Sequence, residues 1–149
     1  AGKVVTQLLK GTDWGDLDVL LLDMPPGTGD VQLTLLQDIE LNGAVGVTTP
    51  SRLAIADARK GIHMFSELGV PTIAMVENMS YFECDNGTRH YPFGKGFEPF
   101  IDEIAGLDRE NVCRLPISSM ANESTDGGIP MSLLRPEEAG QELEAMGKL

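Results

Sequence analysis

Asp18-Val19-Leu20-Leu21-Leu22-Asp23, followed at once by Met24-Pro25-Pro26-Gly27-Thr28-Gly29-Asp30, is the stretch on which the fold turns. A strand with one wet face alternates apolar and polar residues, whereas a short continuous apolar run suits a strand buried on both faces of a parallel sheet. The acid that closes the run and the Pro/Gly-rich loop after it predict that the chain leaves the sheet at the carboxyl end of a strand. In open α/β sheets that edge is where ligands bind.

Three similar runs follow: Gly43 to Val47, Thr72 to Val76, and Val112 to Leu115. Between the first two of these, Ile55, Ala58, Ile62 and Phe65 recur at spacings of three and four, Thr49 or Ser51 can cap the start, and Gly69 with Pro71 ends the pattern. That is a strand-helix-strand crossover. Val31 to Gln37, Glu98 to Ala105 and Pro136 to Met146 read as further helices, and Ala1 to Lys10 as the tail of an amphipathic one whose capped beginning is missing. The alternation predicts an α/β fold, a mostly parallel open sheet flanked by helices on both faces. There is no internal repeat, low-complexity tract or second domain, so residues 1–149 read as a single domain, and a first residue that is not Met suggests a start in mid-protein.

Composition narrows the function classes. Of 149 residues, 42% are apolar and 23% charged, with 11 Lys and Arg against 23 Asp and Glu, a net charge of −12. Such a field repels phosphate backbones and anionic lipid, so neither nucleic acid nor a membrane is expected as a partner. No apolar run reaches the roughly 20 residues that span a bilayer. Cys84 and Cys113 are too few for a disulfide framework, which points to a reducing compartment such as the cytoplasm.

Four strand ends lead into small, polar loops: Asp23 to Asp30, Thr48-Thr49-Pro50, Glu77-Asn78-Met79-Ser80, and Pro116-Ile117-Ser118-Ser119. A strand-end carboxylate before a glycine-rich loop is the arrangement by which P-loop NTPases hold the water shell of Mg²⁺ and sense a γ-phosphate, which makes Asp23 a candidate. Gly27 and Gly29 let the backbone approach phosphate, while Thr28 and Asp30 can bind water or cap the helix near Val31. The plain alternative is a strand-ending turn with Asp30 as the N-cap. Asn78 by itself is a turn former, Pro116 by itself ends a strand, and Asp57 can pair with Lys60 on a helix surface.

The segments Leu22 to Thr34, Thr48-Thr49-Pro50, Ala54 to Ile62 and Val76 to Phe82 resemble the Mrp/Nbp-type ATPases, iron–sulfur cluster carriers of the MinD-like branch of P-loop NTPases. The resemblance runs from about Val5 to the carboxyl terminus and includes Tyr91-Pro92-Phe93-Gly94 and Ser124 to Pro130. It implies the carboxyl-terminal part of a P-loop NTPase fold, with ATP and Mg²⁺ as cofactors, a homodimer, and apo iron–sulfur proteins as clients. It also implies roles. Asp23 matches the switch II acid near Mg²⁺, Gly27 the glycine by the γ-phosphate with Thr28 beside it, Asn78 the asparagine that reads the adenine edge, and Pro116 the start of the loop over the base. Asp57 matches an acid that follows the Thr-Thr-Pro loop, with its role open. A plastid or mitochondrial matrix joins the cytoplasm as a location should the full-length protein carry a transit peptide.

Two departures limit the analogy. No Gly-x-x-x-x-Gly-Lys-[Ser/Thr] or Lys-Gly-Gly run occurs, and Gly94-Lys95-Gly96 lacks the hydroxyl residue and helix start of a phosphate nest, so residues 1–149 form a partial domain lacking the Walker A half. This chain alone is expected not to hydrolyse ATP. Second, many relatives carry Cys-x-x-Cys where this chain has Glu83-Cys84-Asp85-Asn86-Gly87-Thr88-Arg89-His90, closer to plastid-type scaffolds. Cys84 is then the one candidate ligand for a 4Fe–4S cluster, and the loss of its partner weighs against a full thiolate set. Cys113 reads as buried packing, and His63 and His90 have no ligand spacing. A noncatalytic dimerisation or partner-binding fragment, or a MinD/ParA-like positioning ATPase, are the alternative readings; the acidic run Arg135 to Glu142 speaks against the positioning role.

Overall fold

The structure, a computed structural model, describes residues 2–25, 29–130 and 133. The two elements nearest the amino terminus are helices α1 (Gly2–Gly11) and α2 (Asp30–Asp38). They lie against each other, tied by the Thr6 hydroxyl, which donates to Asp38 Oδ2 at 3.0 Å. The carboxyl end of α1 is closed by side chains: the Trp14 indole N–H donates to the Leu9 carbonyl at 2.9 Å, and the Thr12 hydroxyl to that of Leu8.

A three-stranded parallel sheet follows, in the order β1 (Ala44–Thr48), β2 (Thr72–Glu77), β5 (Val112–Arg114). The three apolar runs read as strands in this part of the chain are all strands. Helix α3 (Arg52–Glu67) makes the crossover from β1 to β2, and it starts at Ser51, whose hydroxyl accepts the Ala54 N–H at 3.2 Å. It ends at Gly69, whose φ of 76° needs the absence of a Cβ. Helix α4 (Phe97–Ile101) is shorter than the expected 98–105. Between β2 and α4 lies a two-stranded hairpin, β3 (Phe82–Glu83) with β4 (Arg89–His90), and α5 (Ser119–Gly127) follows β5. The helix expected at Pro136 to Met146 lies outside the described residues.

The core forms where α3 and α4 cover one face of the sheet. Ile55, Met75, Phe97, Phe100, Ile101 and Ile104 make one buried cluster. Met75 is fully buried at the centre of β2, and a Cβ on Gly46, its register partner in β1, would collide with the Met75 sulfur. Glycine at 46 therefore lets α3 and β2 close together. Beyond β1 the cover stops: Val45 is 48% and Val47 62% exposed.

The stretch Asp18 to Asp23 is not the strand that its apolar run predicts. It joins no ladder among the described residues, and Val19 and Leu21 are 71% and 85% exposed. A strand exists by its neighbours' hydrogen bonds, and a run apolar on both sides needs cover on both. Neither is met here. Among the described elements, the helices packed on the sheet are α3 and α4, on one face, while α1 and α2 pack on each other.

Candidate functional site

All three sheet strands end level. Thr48 of β1 pairs in register with Glu77 of β2, and Glu77 with Arg114 of β5, so three of the polar loops leave one edge side by side. Backbone bonds carry the pairing past the strand ends. The Asn78 N–H donates to the Thr48 carbonyl at 2.7 Å, the Leu115 N–H to that of Glu77 at 3.0 Å, the Ser80 N–H to that of Leu115 at 2.8 Å, and the Ile117 N–H to that of Tyr81 at 2.7 Å. The loops after β2 and β5 are thus sewn to each other, which holds half-buried Pro116 in the loop beside the Asn78 turn.

The turn itself is unusual. Met79 has a φ of 54°, the one left-handed non-glycine conformation among the described residues, and its N–H is accepted by the Asn78 side-chain oxygen at 3.0 Å. Asn78, Thr48, Thr49, Ala54 and Asp57 line a groove of about 450 Å³ between β1 and α3. Asp57 lies there with its carboxylate 3.1 Å from Lys60 Nζ, so the helix-surface ion pair and a place in the groove hold together.

Asp23 is exposed and lines a separate cavity of about 440 Å³ between the Leu20 to Met24 segment and the open edge of β1. Gly27 and Thr28 lie outside the described residues. Buried Gln32 bridges two described residues, its side chain accepting the Gly29 N–H and donating to the Pro25 carbonyl. The N-cap of α2 is Gly29, and Asp30 is the first helical residue, a correction to the expected Asp30 cap. A residue with no side chain lets Gln32 reach the backbone instead.

Cys84 sits half-buried where the hairpin turns. Its N–H donates to the Thr88 carbonyl at 3.0 Å and its carbonyl accepts the Gly87 N–H at 2.8 Å. His90 is opposite Phe82, further down the ladder. Arg89 stacks over the Tyr81 ring at 4.3 Å and bonds Glu83 at 2.6 Å; that carboxylate, then Tyr81, hold its guanidinium above the usual range. Cys113 is buried in β5, and burial pushes its thiol up, against a smaller opposing effect of Arg114. His63 is exposed, 3.5 Å from Glu67. Among the described residues no three His, Cys, Asp or Glu side chains stand together as a metal site.

Sequence reasoning missed the charges beneath the loops. Glu77 is 4% exposed, accepts the Ser80 hydroxyl at 2.8 Å and lies 3.2 Å from Arg114 Nε. Arg114 pairs in turn with Glu98 of α4, which also takes Arg109 at 3.2 Å, and Asp102 and Glu98 hold the Arg109 guanidinium above its ordinary range. An acid ending one apolar strand and an arginine ending the next was the available signal.

Residues 1–148 match the family model described as the NUBPL iron-transfer P-loop NTPase of the ParA group. The chain belongs to that family. It is 49% identical over 134 residues to the chloroplastic Fe-S cluster assembly factor HCF101 of rice, across 90% of this chain and 25% of that protein. To the iron-sulfur cluster carrier protein of Escherichia coli K12 it is 45% identical over 143 residues, 92% of this chain and 37% of the relative. Among solved structures, a nucleotide-binding protein of Archaeoglobus fulgidus, in complex with ADP, matches with a TM-score of 0.72 and 36% identity, over 87% of this chain and 55% of the other. The family member described here therefore spans a quarter to somewhat over half the length of these proteins, and its fold is the α/β class with a parallel sheet expected from the strand-helix alternation, with the P-loop NTPase kinship that the resemblance implied. Among its described residues no helix is long and apolar enough to cross a membrane.

Proposed function

We propose that this chain carries the switch II and base-reading loops of an ATP-dependent iron–sulfur cluster carrier, and works with a phosphate-binding loop that its 149 residues do not contain. The observation that carries the reading is the level edge: Thr48, Glu77 and Arg114 end in register, and Asn78 faces a groove with Thr49 and Asp57 in a member of an iron-transfer NTPase family.

In this reading Asn78 reads the adenine edge, Pro116 opens the loop that covers the base, and Gly27 and Thr28 meet the γ-phosphate. Mg²⁺ binds through one or two carboxylates and keeps several waters, and the exposed carboxylate of Asp23 fits that need. When bound, the ion neutralises charge on the phosphates. Asp23 would orient its water shell. The carrier is a homodimer that delivers its cluster to apo iron–sulfur proteins in the cytoplasm or in an organelle of the kind the rice relative's name gives. Cys84, half-buried at a hairpin tip, brings one thiolate per chain and two per dimer, so the client or a small thiol completes the set.

The test is turnover against affinity. In the full-length protein Asp23→Asn should lower kcat at least a hundredfold and ADP affinity less than threefold, because it removes a contact to the metal and transition state and leaves the base loop intact. The 149-residue chain by itself should show no ATP hydrolysis. Mg²⁺-dependent turnover by that chain, abolished by Asp23→Asn, would refute the division of labour. For the cargo, anaerobic reconstitution with iron and sulfide should load a cluster that Cys84→Ser removes; a cluster indifferent to that change would exclude Cys84.

A further inference from the structure

None of the roles above uses Glu77, yet it is the buried carboxylate nearest the base-reading loop. We propose that Glu77 is a positioning residue: with Ser80 and Arg114 it locks the Asn78-Met79-Ser80 turn in the conformation that presents Asn78 to the groove. The inference rests on the reading of Asn78 as the base contact.

Three observations carry it. One oxygen of Glu77, Oε2, accepts the Ser80 hydroxyl at 2.8 Å and forms an ion pair with Arg114 Nε at 3.2 Å, so a single buried atom joins the far end of the turn to the end of the neighbouring strand. The turn contains Met79 at a φ of 54°, a conformation that a side chain with a Cβ adopts only when its surroundings hold it there. Finally, the strand ends do not need the carboxylate. The Glu77 carbonyl already accepts the Leu115 N–H, and the Ser80 N–H already reaches the Leu115 carbonyl. What those backbone bonds leave undetermined is the path between them, and the carboxylate determines it.

Energetics point the same way. A carboxylate at 4% exposure gives up its water, and an ion pair to an arginine whose side chain stays 42% exposed is partly screened and seldom returns that cost. Its use is then to select one geometry. Arg114 is anchored from outside the site by Glu98, a surface residue of α4, so the lock is referred to a helix whose Phe97 and Phe100 pack in the core.

The experiment measures the affinities of the full-length protein for ADP and for IDP, in which a carbonyl replaces the exocyclic amine of adenine, alongside thermal melts. Asn78→Ala should bring the ADP-to-IDP affinity ratio close to one. Ser80→Ala should lower that ratio about threefold to tenfold. Glu77→Gln keeps an acceptor for the Ser80 hydroxyl and gives up the ion pair, so its ratio should fall between Ser80→Ala and the parent. A purely structural Glu77 and Ser80 would lower the melting temperature and leave the ratio of the folded protein unchanged; that result overturns the positioning role while Asn78 stands. A ratio that Asn78→Ala does not move refutes the base contact itself, and the positioning role with it.

Discussion

Two apolar stretches of this chain have opposite fates. Thr72 to Glu77, with Ile73 and Val76 as its branched aliphatic residues, is a buried strand with a parallel neighbour on each side, while Asp18 to Asp23, richer in them with Val19 and Leu20 to Leu22, is unpaired among the described residues and largely bare. The difference is not propensity. β2 has β1 and β5 to complete its ladder and α3 and α4 to cover Met75, whereas the earlier stretch has no ladder partner among the described residues and faces β1 across a cavity of about 440 Å³. Apolar sequence supplies a demand for burial, and neighbours decide whether the demand is met.

The comparison breaks most readily at the core. Phe100→Ala removes a side chain only 2% exposed and should cost about 3–5 kcal/mol in denaturant unfolding. A cost under about 1 kcal/mol would mean that the α3–α4 side of the sheet is no better packed than the amino-terminal stretch.

The two cysteines sharpen it next. Iodoacetamide should modify Cys84 in the native protein at least about a hundredfold faster than Cys113, since one is at a hairpin tip and the other in the sheet with its thiol pushed up by burial. A thiol whose pKa is raised on folding stabilises the fold fully below its unfolded value and loses that contribution as pH rises through the folded one. Stability should therefore decline above about pH 9, the ordinary thiol value here, and Cys113→Ala should flatten that decline.

Ser51→Ala takes away the side-chain acceptor of the Ala54 N–H at the start of the crossover helix and should cost about 1 kcal/mol. The smallest effect belongs to the bare stretch. Leu21→Ala, at 85% exposure, should change stability by less than about 0.5 kcal/mol, and amides from Val19 to Leu22 should exchange with solvent far faster than those of β2. Slow exchange there would show that the stretch is paired after all.

What was legible in the residues is what local chemistry decides. A cap at Thr49 or Ser51, a stop at Gly69 and three short apolar runs as parallel strands all follow from backbone conformation and period; the structure has each, with Ser51 as the cap. The loops after those strands could be listed for the same reason, and the Glu-Asn-Met-Ser and Pro-Pro-Gly-Thr-Gly-Asp segments carried the family resemblance. Less could be read where one residue's role depends on a distant one. Asp30 has the chemistry of a cap, but Gln32 reaches the backbone first and leaves the cap to Gly29. Asp57 offered a surface pair or a site, and only the packing of α3 beside β1 puts both at one carboxylate.

By itself, then, the sequence determined the strand-helix-strand order, the family, and the residue types available at each strand end, because those depend on bonds and spacings within a few residues. The tertiary structure alone decided that Thr48, Glu77 and Arg114 end level, that one buried oxygen of Glu77 serves both Ser80 and Arg114, and that Val19 to Leu22 is not a strand. Register and strand pairing are properties of segments 28 or more residues apart brought into contact, and no local pattern encodes the contact itself.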